Sequence, residues 1–488
     1  MPLIFVCILM NAHQLLIPKY YNRFVKGFYM QSRYFSSMRL PLTTCPLSAL
    51  AITIMANGVT PAYGVENNTG LPQDSNPPSN DVEHLQRAYE TRIQALEDRI
   101  KATEAAQALS QEETEALAIS ISQQANQTSA NTYNPSIGVI LNGRFLKQSP
   151  SDYEFNPPGF MLGEEPGPGE PGFGLGESEL NLSANVDDKF TASITLAFGE
   201  ETEVEEAYLQ SIALPHGLGV KFGQFFSNLG YLNSHHAHSD DFSFRPLAQQ
   251  AFLGPNFGDA GVQVTWLAPS SLFWESGVEL YRGASFPAGG SADDGKGIWT
   301  AFTHIGGDVG TSQSWRSGIS YMAAKVDNRE DESSGNSFTG DSNLWIADFI
   351  WKWAPNGNSR TTNAKISAEY FYRSEKGEFT LNDSSNLSTS SHQSGWYLQA
   401  VYQFIPQWRF GMRYEQLDAE NPGELFSGTQ LDDQSHRPTQ TSLMLDWSNS
   451  EFSRIRLQYS RDKSSPVSAD LWVLQYVAAF GAHSAHAF

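Results

Sequence analysis

The sequence predicts an all-β transmembrane barrel of about sixteen antiparallel strands (fourteen to eighteen), preceded by a helical or coiled-coil segment. Three observations carry this. Segments of about ten residues alternate apolar and polar side chains from Ser136 to the C-terminus. Past residue 64 no apolar run approaches the roughly 20 residues that a spanning helix needs. The connections between the segments alternate short and long, the pattern of a barrel with short periplasmic turns. The 488 residues hold 31 Lys+Arg against 53 Asp+Glu, a formal charge of -22, which argues against a nucleic-acid partner.

Residues 1–64 contain five basic and no acidic side chains. From Met38 they follow a secretory pattern: Arg39, an apolar stretch from Leu40 to Met55, then Ala62-Tyr63-Gly64 as a small-x-small cleavage site. Translation is expected to begin at Met30 or Met38. Both cysteines, Cys7 and Cys45, fall in this leader, so the mature chain has no disulfide framework. Residues 65–80 are a polar linker. Residues 81–132 are expected to form a helical or coiled-coil periplasmic segment, with Val82, Leu85, Tyr89, Ile93, Leu96 and Ile100 on one stripe.

The barrel is expected over 136–488. Trp408, Phe410, Met412 and Tyr414 oppose Arg409, Gly411, Arg413 and Glu415, the plainest alternation in the chain. Strands are expected to start near Ser136, Leu175, Lys189, Glu203, Leu218, Gly261, Leu272 and Gly297. The second half starts near Ser314, Ser342, Thr361, Ser394, Gln407, Pro438, Phe452 and Asp470. Long connections are expected at 148–174, 227–260, 284–296, 328–341, 375–393 and 420–437.

No catalytic motif is present, and the chain reads as a non-enzyme. Acidic pairs such as Glu164-Glu165, Glu205-Glu206 and Asp432-Asp433 read as solvated charge. Two sets of residues carry functional expectations. Lys221, Arg316, Lys365, Glu369, Arg373, Arg409, Arg413, Glu415, Arg454 and Arg456 fall on inward faces and are expected to line the pore. His235, His236 and His238 with Asp240 and Asp241, in the longest loop, suit a borderline metal such as Zn²⁺. His483 and His486 form a second, C-terminal pair. Zn²⁺ is expected as a transported or weakly bound ion, with no resident cofactor.

Several stretches resemble a proteobacterial family of porin-like outer-membrane proteins, described as zinc-regulated TonB-dependent receptors and related to phosphate-selective porins. They are Gly230-Tyr231-Leu232-Asn233 followed by His236-Ala237-His238, Gly258–Gln263 running to Trp266–Pro269, Arg282–Gly290, Ser314–Gly318, and the ending Gly481–Phe488. The resemblance implies an outer-membrane channel whose third extracellular loop folds into the lumen, which would put the loop histidines at the constriction. Energised import is not implied, because residues 65–135 are too short and polar for the plug of a 22-stranded transporter. The expected partners are outer-membrane lipid, the barrel-assembly machinery through Phe488, a second and third copy in a homotrimer, and peptidoglycan through the helical segment.

Overall fold

The computed structural model describes Gln94 and residues 135–481, apart from 164–165, 200–201, 291–296, 332–333, 383–384 and 451. The leader, the linker and all of the 81–132 segment but Gln94 lie outside the described residues, as do Glu164-Glu165, His483, His486 and Phe488.

In chain order the strands are β1 (Ser136–Ser149), β2 (Gly172–Leu175), β3 (Ser178–Asn185), β4 (Phe190–Phe198), β5 (Thr202–Ser211), β6 (Leu218–Phe226), β7 (Gly258–Leu267), β8 (Phe273–Tyr281) and β9 (Ile298–Val309). Then follow β10 (Gln313–Asp331), β11 (Asn336–Trp353), β12 (Asn363–Leu381), β13 (Ser385–Ile405), β14 (Trp408–Ala419), β15 (Thr439–Ser450), β16 (Ser453–Lys463) and β17 (Ala469–Gly481). Every neighbouring pair is antiparallel. The ring closes where β1 meets β17, in register from Gly138↔Gly481 to Ser149↔Asp470. Strands β2 and β3 share one edge of β1, at Phe145↔Phe173 and Val139↔Leu180. They form a single stave broken at Gly176 and Glu177, so the barrel has sixteen staves. Closure leaves no open edge in lipid, where each unpaired backbone group would cost several kcal/mol.

Fourteen of the sixteen expected strand starts lie within three residues of the observed ones; the other two expose an error. The connections expected at 328–341 and 375–393 shrink to 332–335 and 382–384, because the β10–β11 and β12–β13 hairpins continue outward. These strands run 18 to 21 residues, about twice the span of a bilayer. Beyond the apolar band both faces are polar, as at Ser385–Ser391, so alternation fades while the hydrogen-bonded ladder persists. Two tight turns at the other end use Pro-x-Gly: His216 and Asn356 stand at φ 62° and 53°, inside Pro215–Gly217 and Pro355–Gly357.

The outer face matches the alternation. Leu141, Val264, Val278, Ile319, Met412, Leu443, Leu457 and Leu474 point outward and are exposed. Aromatic side chains gather near both ends of this band, with Trp266 against Trp274 on the short-turn side and Trp299–Tyr321–Trp345 on the long-loop side. No helix among the described residues is long and apolar enough to cross a membrane. A closed sixteen-stave barrel with an apolar belt and aromatic girdles is a bacterial outer-membrane protein.

The inner face departs from the expected polar wall. Met322, Leu344, Ile346, Phe371, Tyr397 and Leu417 point inward and are buried in one apolar cluster. What covers them is chain from the loop after β6.

Candidate functional site

Residues 227–257, between β6 and β7, fold into the lumen. Their one α-helix, α1 (Leu247–Leu253), has all seven residues buried. Phe252 stacks on Phe371 of β12, with ring centroids 5.7 Å apart, and meets Phe160 edge-on. A helix buried on every side needs partners all round: the barrel wall packs its apolar side chains, while Gln249 donates to Asn233 and Gln250 to the Arg245 carbonyl.

Polar contacts fasten the loop around the circumference. The backbone N–H of Asn228 donates to Glu279 on β8 (3.0 Å), that of Gly230 to Ser320 on β10 (3.1 Å) and that of Tyr231 to Glu369 on β12 (2.6 Å). Ser243 N–H donates to Gln458 on β16 (2.7 Å), and Leu247 N–H to Glu415 on β14 (2.6 Å). In return Arg413 donates to the Phe244 carbonyl (2.9 Å), Arg454 to that of His238 (2.8 Å) and Arg456 to that of Asp240 (2.9 Å).

The inward charges expected along the pore are therefore engaged with the loop or with each other. Lys365 and Arg409 both pair with Asp241, and Arg409 and Arg456 share Asp446. Arg413 pairs with Glu415 at 2.7 Å, and Arg373 lies 3.6 Å from Glu375. Arg316 lies 3.6 Å from Asp348 and donates to the Gly230 carbonyl. Arg373, Arg413 and Arg456 are fully buried. Lys221, on the other side of the lumen, sits 4.6 Å from the centre of the Tyr208 ring.

Of the loop histidines, His235 turns away, while the rings of His236 and His238 stack 5.8 Å apart, both facing Glu179. His235 Nδ1–H donates to the Tyr231 carbonyl at 2.6 Å; burial, and then the Arg245 charge, push its pKa down to about 3. His238 bonds Glu179. Asp240 is held by Arg245 at 2.7 Å. Burial would raise the Asp241 pKa, but Lys365 and Arg409 outweigh it and hold the carboxyl below its usual range. His236 alone joins a cluster of metal-ligand type, with Glu177, Glu179 and Glu205, their donor atoms all within 4.8 Å of one another. Its Nδ1 lies 3.2 Å from Glu205 and 3.5 Å from Glu179, and its Nε2 3.1 Å from Glu206. Burial opposes its protonation, yet bonds to Glu205 and Glu206 raise its pKa well above the ordinary histidine value.

The expectation that Glu205-Glu206 is solvated charge is wrong, and the cause is local. Thr195 pairs with Glu206 and the next residue, Leu196, with Val204, so Glu205 is the extra residue of a β-bulge. Strict alternation allows one of two successive residues inside; the bulge re-aims the strand and brings both carboxylates to His236. Glu177 and Glu179 escaped notice because they flank the break between β2 and β3, where no alternating pattern runs. The His-rich loop was the one signal in the sequence that pointed here.

No family model matches the chain. A protein of Aquifex aeolicus (strain VF5), described as an uncharacterized protein, is 31% identical over 396 residues, covering 75% of this chain and 82% of that one. The two belong to one family. Among solved structures, OprB of Pseudomonas putida aligns over 73% of this chain and 96% of its own, at 13% identity and TM-score 0.48. The outer-membrane channel DcaP of Acinetobacter baumannii covers 71% and 96% at 12% identity and TM-score 0.47. An anion-selective porin from Comamonas acidovorans covers 71% and 99% at 12% identity and TM-score 0.45.

Proposed function

We propose that the chain is a porin-type diffusion channel for small solutes, with zinc or a related divalent cation as the ion it passes or captures. One observation carries the reading: a loop crosses the lumen of a closed barrel with carboxylates gathered against it on the β3–β5 wall and Lys/Arg on the β10–β16 wall. Opposed charges of this kind set a transverse field across a narrow passage and sort solutes by charge and dipole. Asn181, Ser183, Ser193 and Tyr208 face inward on β3–β5 and stay partly exposed, which favours a water path along that wall, past the acids. The basic wall is largely neutralised by Asp241, Asp446 and Glu415, which favours cations over the alternative of an anion porin selected by Arg409, Arg413, Arg454 and Arg456. Contact with the assembly machinery through Phe488, a homotrimeric state, and a tether to peptidoglycan through residues 81–132 belong to the same proposal.

The test is single-channel recording of the full chain, purified from outer membranes, in a planar bilayer under a salt gradient. A reversal potential of cation-preferring sign is expected. Anion preference would transfer the reading to the arginine wall. Absence of any conductance would overturn the channel and return the chain to a receptor or a tether.

A further inference from the structure

We infer that Glu177, Glu179, Glu205 and His236 form a divalent-metal site that fastens the lumen loop to the barrel wall. The site stands on its own geometry; its effect on passage rests on the channel reading above. The donors come from three separate places: the β2–β3 break, the bulge in β5, and the loop. Their donor atoms lie within 4.8 Å of one another; four bonds of about 2.0–2.2 Å at tetrahedral angles put donors about 3.4 Å apart, so the widest pair has to close by about 1.4 Å, which rotation of the glutamate side chains supplies.

The ring of His236 is already oriented for this. Nε2 faces Glu206 at 3.1 Å, and Glu206 is itself fixed by the Phe226 N–H at 3.2 Å. Without metal both ring nitrogens face carboxylates and can donate to them; an arriving ion displaces the Nδ1 proton to solvent and takes its place between Glu179 and Glu205, while Nε2–H stays donated to Glu206. A carboxylate behind the distal nitrogen, holding ring and tautomer, is the usual support of a metal-bound histidine. With that proton displaced, three carboxylates and a neutral imidazole offer a charge of -3, which a divalent ion reduces to -1. One nitrogen with three oxygens suits Zn²⁺, Mn²⁺ or Co²⁺; Ca²⁺ wants six to eight oxygens. Because His236 reaches the wall acids only when the loop lies in the lumen, filling the site and seating the loop are the same event.

The test measures zinc bound to the full chain in detergent after equilibrium dialysis, by elemental analysis. One zinc per chain is expected, at least tenfold weaker binding in His236→Ala and Glu205→Gln, unchanged binding in Asp418→Asn, and no competition from equal Ca²⁺. Glu177→Gln serves if either variant fails to show the heat-modifiable gel migration of a folded barrel. No zinc on the wild type, or wild-type affinity in the variants, would overturn the site. In the bilayer, micromolar zinc is expected to lower wild-type conductance and leave His236→Ala unchanged. Zinc bound with conductance unaltered would overturn the fastening while the site stands. Zinc bound with no conductance in any condition would instead overturn the channel reading.

Discussion

The two arcs of the barrel wall obey the same alternation and do opposite things with it. Along β3–β5 the inward side chains are polar, and most keep some access to water. Along β10–β17 the inward side chains include arginines, carboxylates and aromatics with almost no exposure. The outer faces do not differ in this way. What separates the arcs is where the lumen loop lies: it leans its helix and its carbonyls on one arc and touches the other through His236 and His238. An inward polar residue thus lines water or builds a protein core depending on chain that comes from elsewhere.

Removing a charge from the covered arc is the strongest way to break this comparison. Arg456→Ala leaves Asp446 short of its 2.8 Å partner and the Asp240 carbonyl without its donor, and should destabilise the barrel by about 3–5 kcal/mol. Urea unfolding in lipid vesicles measures it, and a loss below about 1 kcal/mol would mean that water reaches this arc. Phe252→Ala deletes the ring stacked on Phe371 and is expected to cost about 3–5 kcal/mol as a buried aromatic, with raised conductance as the loop loosens. Arginine on the lipid face should be indifferent to the arc. Ile194→Arg on β4 and Leu443→Arg on β15 are each expected to cost about 2–4 kcal/mol near the midplane, and a wide gap between them would show that the outer faces differ after all.

Acid offers a finer probe. The folded pKa of Asp241 lies below its unfolded value of about 3.9. Its contribution is therefore complete above that value and is lost as pH falls through the folded pKa. Asp241→Asn should flatten the acid limb of the stability profile below about pH 4 while leaving neutral behaviour with a constant offset. The smallest effect belongs to the open arc, where Ser193→Ala should stay within about 0.5 kcal/mol by the same urea measurement.

These arcs also explain what could be read from the sequence. The strands and their lipid faces were legible, because apolar residues at every second position answer to lipid alone. Inward faces answer to a loop whose path is set by contacts more than a hundred residues apart, such as Leu247 with Glu415. Hence Phe371 and Ile346 break the polar pattern inside without any local sign of why. Asp240 and Asp241, adjacent to the histidines, matched a metal motif by spacing, yet Arg245, Lys365 and Arg409 claim them. The cluster around His236 depends instead on a bulge at Glu205, and a one-residue slip in register is invisible to a period of two.

The circumferential stitching of the loop also constrains the order of assembly. Its contacts fall on both flanks of the β1–β17 seam, with His238 at Glu179 on one side and Ser243 at Gln458 and Gln475 on the other. A wall that zipped shut first would have to swallow a bulky segment through one of its mouths. A segment seated first acts as a mandrel, around which the earliest and the last strands are brought to the same place. The middle of the chain thereby decides when its two ends can meet.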